Sequence, residues 1–343
     1  MALSAVDVIS PAFEHMKRQL FSPFRAGQWV RLAVVGLLAG ELGVGNFGTR
    51  FPSRGGGSSS GQSAGGIGPI PPGGILFAVG IAILVLLVFV AAIALLYVSS
   101  RMRFVLFDSV IAGECSIRRF WNGRGQPAWR YFVFQILFGF CTAVGMAILI
   151  GLPLLGAFAA GWFRNPREHL LPLILCGVVL LCIFLTVVIT LAVVQVVIKD
   201  FVIPQMALEE VTVGEGWRRV WALMKAEKGG YAGYLGMKLV LATAAAVVLG
   251  IVTLIAVVIV LIPVGGAGAL AVLAGRAAGL AWNPVTLALA IVVGILVVVS
   301  LLLIMALISV PAIVFFPAYS IRFFAERYPL LKTALLNTPS PQP

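Results

Sequence analysis

Apolar residues run without a charge from Ile75 to Val98. At ~1.5 Å per residue that is enough helix to cross the ~30 Å hydrocarbon core of a bilayer. Runs of the same kind fill 131–155, 170–198, 239–262 and 285–316, and a shorter one, 29–47, is interrupted by Arg31 and Glu41. Between them lie polar segments with apolar residues at helical spacing: Ile9, Phe13, Met16 and Leu20, then Ile117, Phe120 and Trp121, then Trp217, Val220, Trp221 and Met224. That spacing predicts amphipathic helices lying on a membrane surface. Thr212 and Glu215 stand where a capping box would open the third of them.

Each amphipathic segment carries a basic pair, Lys17-Arg18, Arg118-Arg119 and Arg218-Arg219, and the interval of about one hundred residues is a repeat period. The pattern predicts an all-α, polytopic membrane protein of six transmembrane helices. They form three repeated helical hairpins with cytoplasmic amphipathic interfacial helices. Unit 1 is 1–98, with spans at 29–47 and 75–98 around a flexible Gly/Ser/Pro-rich loop at 48–74. Unit 2 is 99–198, with spans 131–155 and 170–198. Unit 3 is 199–321, with spans 239–262 and 285–316, and 322–343 is a basic, then proline-rich tail. Gly151 and Pro153 are expected to end or bend the third span, and Pro263 to Gly266 to break the fifth. After that break, 269–282 reads as a surface or a re-entrant helix. Pro204 and Pro317 are expected to end helices at equivalent points.

Composition agrees with a membrane protein. The chain of 343 residues is 61% hydrophobic and 10% charged, where soluble domains average about 25% charged. The net charge of +12 does not point to nucleic acid, because the basic residues flank apolar runs, where they act as orientation signals and anionic-lipid contacts. Nineteen of the 24 lysines and arginines fall on one side of the six-span arrangement. The positive-inside rule then places both termini in the cytoplasm, with the protein multi-pass in the inner membrane. The first 28 residues lack the apolar core of a cleavable signal peptide. The four cysteines form no CxxC or Cys/His cluster.

No Ser/His/Asp set, HExxH or phosphate-cradling glycine loop is present, so neither enzyme activity nor a cofactor is expected. Glu41, an acidic residue in an apolar run, is the candidate intramembrane functional residue. Its bland reading is a structural carboxylate near a wet, glycine-rich span end. Gly36 and Gly40 form a GxxxG pair suited to close helix packing. Lys17, Arg18, Arg118, Arg119, Arg218 and Arg219 are candidate contacts to lipid phosphate or to an acidic partner, or simple topology anchors. Asp108 and Asp200 stand beside Arg103 and Lys199 and are expected to pair locally. Gln135, Thr142, Thr186, Thr190 and Gln195 are candidates to line a polar path, or in the case of threonine to bond their own helix.

The segment Asp200-Phe201-Val202-Ile203-Pro204, the acidic pair Glu209-Glu210, and Trp217-Arg218-Arg219 leading into the next span together resemble a group of bacterial six-span membrane proteins. That group includes the membrane domain attached to some glycerophosphoryl diester phosphodiesterases and the YciC-type proteins. The resemblance implies a fold. The soluble phosphodiesterase barrel has no counterpart here, so that activity is not implied. Two functions remain open: a non-enzymatic scaffold or accessory subunit of a membrane assembly contacting anionic lipid, or a transporter or channel for a lipid-like or small amphipathic solute.

Overall fold

The computed structural model describes residues 4–22, 24–41, 72–162, 169–277 and 284–336, and these are helical throughout apart from short turns. The helices are α1 (Ile9–Phe21), α2 (Ala26–Leu38), α3 (Pro72–Ala112), α4 (Ile117–Gly123), α5 (Gly125–Ala159) and α6 (Leu170–Val197). A π turn (Ile198–Val202) carries α6 into α7 (Ile203–Glu209), and α8 (Val213–Ala226), α9 (Lys228–Ala277), α10 (Pro284–Ala325) and α11 (Pro329–Leu336) follow. Five stretches, Val79–Ala112, Gly125–Ala159, Leu170–Glu209, Lys228–Gly275 and Thr286–Ala325, are long and apolar enough to cross a membrane. The protein is thus a helical membrane protein of multi-pass type.

The expected span 29–47 is not among the five. Helix α2 has 13 residues, about 20 Å of rise, and it closes in a Schellman turn. Gly40 adopts φ +76°, its N–H donates to Leu37 O (3.1 Å), and the Glu41 N–H donates to Gly36 O (2.8 Å). The remainder of that span, 42–47, lies outside the described residues. So does the expected loop 48–74 as far as residue 71.

Prolines expected to break helices do not. Pro263 lies inside α9, which continues to Ala277. No separate surface or re-entrant helix therefore begins at 269, and 278–282 lie outside the described residues. Pro153 lies inside α5 and Pro317 inside α10. In an apolar setting a proline forfeits one backbone hydrogen bond, whereas ending the helix would strand several N–H and C=O groups with no water to take them. Pro204 differs: it stands in the first turn of α7, where its missing N–H costs nothing. The two prolines are not equivalent helix ends.

Packing is concentrated at one end of the long helices. Away from that end the stem of α3 stands apart, with Leu84 to Phe89 each about 60% exposed on successive positions, hence on every face, while α5 and α6 keep only a narrow partly buried face. At the packed end α2 lies between α3 and α10, with Leu32, Ala33 and Val35 fully buried against a core that includes Val310, Val314 and Phe104. A Cβ on Gly36 would stand 2.4 Å from Ile313 Cδ1, whereas one on Gly40 would meet nothing. The close approach expected of the pair is therefore Gly36's alone, and Gly40 serves the turn.

Helix α8 opens on the expected cap, Thr212 Oγ1 accepting from the Glu215 N–H at 3.3 Å. It buries Val213, Gly216 and Val220. The apolar face is rotated from the one expected, so that Trp221 is 48% exposed and stacks on Trp217. The α1, α4, α7, α8 and α11 helices all join this end. His15 and Gln19 donate to Val110 O and Ser109 O of α3, and Arg327 donates to Glu227.

Candidate functional site

Where α2, α3, the π turn, α9 and α10 meet, they enclose a cavity of roughly 90 Å³ lined by Glu41, Arg103, Lys199, Asp200 and Lys238. Local structure delivers each of these side chains. The Schellman turn sets Glu41 just past the end of α2. The π turn, a geometry frequent at functional sites, presents Lys199 and Asp200 to different partners. Arg103 lies five positions beyond the end of the apolar run at Val98, about 7 Å further along α3.

Lys199 Nζ donates to Glu41 Oε1 at 3.1 Å, with the two side chains 14% and 19% exposed. Asp200 accepts from the Tyr234 hydroxyl at 2.9 Å and from Lys238 Nζ. Charges this buried persist only when paired and hydrogen-bonded. Arg103 is held differently. Its Nε donates to Ala39 O at 3.2 Å and its Nη1 to the Tyr131 hydroxyl, both neutral groups. Three cationic side chains thus face two carboxylates, one positive charge in excess.

These pairings differ from those expected of sequence neighbours. Asp200 pairs with Lys238, not Lys199. Asp108 pairs with Arg124, not Arg103, through two hydrogen bonds of 3.1 and 3.2 Å. Glu41 joins Lys199 at the packed end and is not a carboxylate left at a wet outer end. Adjacent helical residues point in different directions, so a neighbour in sequence is seldom the neighbour in space. The missed signal was a charge one to five positions beyond an apolar run on each of α3, α6 and α9, three cations with a shared depth.

The basic pairs lie elsewhere. Lys17, Arg18, Arg118, Arg119, Arg218 and Arg219 are all exposed, on α1, α4 and α8, and none lines the cavity. Arg18 stands 3.8 Å from Glu14, and Arg219 bridges Glu209 and Glu215 at 2.5 and 2.7 Å. Thr186 and Thr190 bond carbonyls of their own helix at 2.8 Å, and Gln135 accepts from Ser100 at 2.7 Å.

Among groups outside the spans, burial, reinforced by Arg322, holds His15 below the ordinary imidazole pKa. Hydrogen bonds from Arg327 hold the Glu227 carboxyl below its usual range. Burial pushes the Cys115 thiol up, which leaves it unreactive. Among the described residues no His/Cys/Asp/Glu group has the arrangement of a metal site.

The sequence profile of a family of unknown function (DUF7544) matches residues 3–334. No curated protein and no solved structure matches the chain. The match covers nearly the whole chain, and the protein belongs to that family.

Proposed function

We propose that this member of a family of unknown function is a six-span inner-membrane protein. In this reading it is built from three hairpin units and acts without catalysis as a scaffold or accessory subunit of a membrane assembly that contacts anionic lipid. The observation that carries the reading is the contrast between a tightly packed end and apolar stems that leave most of their surface exposed. A solute path through the bilayer needs helices packed around it near mid-membrane. Here the charged cavity lies at the packed end, beyond the apolar run of α3. Separated stems instead leave several helix faces for neighbouring subunits, which in lipid associate through packing and not through a hydrophobic drive.

The way the connectors gather supports this topology. Gln28, near the start of α2, donates to Gly113 O at 3.1 Å, while Ala39 just past its end accepts from Arg103. Helix α2 therefore runs back along only part of α3. Pro72, where α3 begins, lies about 46 Å from that level along α3 at 1.5 Å per residue, so the described chain leaves α2 at one end of α3 and resumes at the other. With α1, α4, α8 and α11 at one end, the basic pairs share one leaflet, which the positive-inside rule makes cytoplasmic. The resemblance to phosphodiesterase membrane domains supports the same arrangement and carries no activity.

Two experiments test this. With the native cysteines replaced by serine, Ser59→Cys should react with an impermeant maleimide in intact cells and Arg118→Cys only after permeabilisation. The reverse pattern refutes the topology. Extraction of native membranes into polymer nanodiscs should yield the protein in a defined complex larger than one chain, and a uniform monomer without companions refutes the scaffold reading.

A further inference from the structure

We infer that the cavity at the packed end is a binding site for one phosphate-bearing anion, and that the Arg103 guanidinium is the group that engages its charge. The imbalance of charge is the first reason. Glu41 is hydrogen-bonded to Lys199 and lies in the field of Arg103 as well, Asp200 is bonded to Lys238 and Tyr234, and the hydrogen bonds of Arg103 go to a carbonyl and a phenol, so that Arg103 shares its nearest carboxylate with a lysine. Among the described residues no carboxylate lies within ion-pair distance of it. A part-buried guanidinium so placed is under-compensated, and its planar fork of donors suits phosphate oxygens better than an ammonium does.

Size is the second reason. A cavity of about 90 Å³ has room for several waters and hence for one phosphate group. The third is the character of the walls. Beside the charged groups the lining includes Ala242, Ala312 and Phe316 of α9 and α10, whose stems continue as exposed apolar helix. A headgroup phosphate held at Arg103 could keep its acyl chains along those stems, and a free phosphate would use the charged groups alone. The chemistry of the held group is the same for both sources. This site is distinct from the exposed basic pairs, which attract an anionic surface without enclosing any one group, and it does not depend on which subunits the stems contact.

The test uses the full chain in detergent micelles, with thermal unfolding followed against added dioleoylphosphatidylglycerol, inorganic phosphate, or dioleoylglycerol, which has the same acyl chains without the phosphate. Phosphatidylglycerol should raise the unfolding temperature in a saturable way and dioleoylglycerol should not. Inorganic phosphate acting as well as the lipid assigns the site to a free anion, and acting poorly assigns it to a lipid headgroup. Arg103→Gln should weaken the apparent affinity about tenfold or more, the loss of one charge-assisted contact, while the double variant Arg118→Gln/Arg119→Gln should keep it. Inert phosphate and phosphatidylglycerol, or full affinity in Arg103→Gln, overturns the inference. If Arg103→Gln does not fold, a photoreactive phosphatidylglycerol on the wild-type chain decides. Crosslinks must map to Ala312 or Phe316, and crosslinks confined to α1, α4 and α8 overturn it. Because these readouts need no partner, the site can fail while the scaffold reading stands, and the reverse.

Discussion

Replacing Gly36 by alanine probes the contact on which the position of Glu41 depends. The added Cβ would stand 2.4 Å from Ile313 Cδ1 and 3.0 Å from both Cγ1 and Cγ2, and Ile313 is 3% exposed. Moving Cδ1 alone is not a remedy, because both branches of a χ1-stiff side chain are engaged, so α2 and α10 must separate. Overpacking of this kind costs about 1–3 kcal/mol, offset by the ~0.5–1 kcal/mol that alanine gains over glycine inside a helix. The expected net loss is about 1 kcal/mol, from the midpoints of those two ranges. Ile313→Val alone should cost ~0.5–1.5 kcal/mol. Combined with Gly36→Ala it should cost less than the sum by at least about 0.5 kcal/mol, because it removes the nearest clashing atom. Gly40→Ala is the contrasting control. No atom obstructs its Cβ, but φ +76° imposes ~1–2 kcal/mol on any L-residue, and this penalty should be additive with Ile313→Val. Unfolding of the parent, the three single variants and the two double variants in one detergent measures all of these quantities. A Gly36→Ala protein as stable as its parent, or strict additivity with Ile313→Val, refutes the account of the α2–α10 contact.

Glu41→Gln leaves Lys199 without its carboxylate, and breaking a buried pair costs up to about 3–5 kcal/mol. Glu41→Gln/Lys199→Met should recover a large part of that loss in the same unfolding assay, and a double variant no better than the single refutes the orphaned Lys199 charge as its cause. His15 gives a pH dependence whose sign follows from its depressed folded-state pKa. The unfolded chain binds the proton more readily, so stability is full above the ordinary imidazole value of ~6.5 and falls as pH drops through the window below it, levelling once the folded form also protonates. Comparing unfolding at pH 7.5 and 5.5 should show this slope in the parent and its reduction in His15→Gln, and equal slopes refute it.

The apolar helices of the fold were legible because hydropathy over twenty residues is a strong signal, and α3, α5, α6, α9 and α10 stand where the runs Ile75–Val98 and its successors put them. Their ends were not. The expected stops at Pro263 and Pro317 came from the behaviour of proline in water-exposed chains, as did the stop that was one of two alternatives at Pro153, and in hydrocarbon the balance reverses, since a continuous helix keeps more of its backbone hydrogen bonds. The weak signal at 29–47 also had a physical origin. Helix α2 is short and wedged between α3 and α10, so it needs small residues at Ala33 and Gly36 where a lipid-facing span would carry large ones. Glu41 stood out as a charge in an apolar run, but its partner Lys199 lies 158 positions away, and only the packed fold relates the two.

The cavity exists because three elements depart from regular helix at one level. Helix α2 stops in a Schellman turn, which turns the chain at Ala39–Gly40 and directs Glu41 inward. Helix α6 widens into a π turn at Ile198–Val202, so that Lys199 and Asp200 serve separate ion pairs. Helix α10 carries Pro317 in the wall, where the ring displaces the backbone hydrogen bond of an ordinary turn. Three regular helices at this crossing would interdigitate and leave no void, and charges at their contact would be squeezed against one another or excluded. Each departure instead replaces a stretch of close packing with a polar group and some space. None leaves a mark in hydrophobic periodicity, since one added residue in a turn or one proline barely alters the apolar count across a run. An all-helical membrane chain can in this way show its spans plainly while the place where it gathers its charges stays hidden until the packing is known.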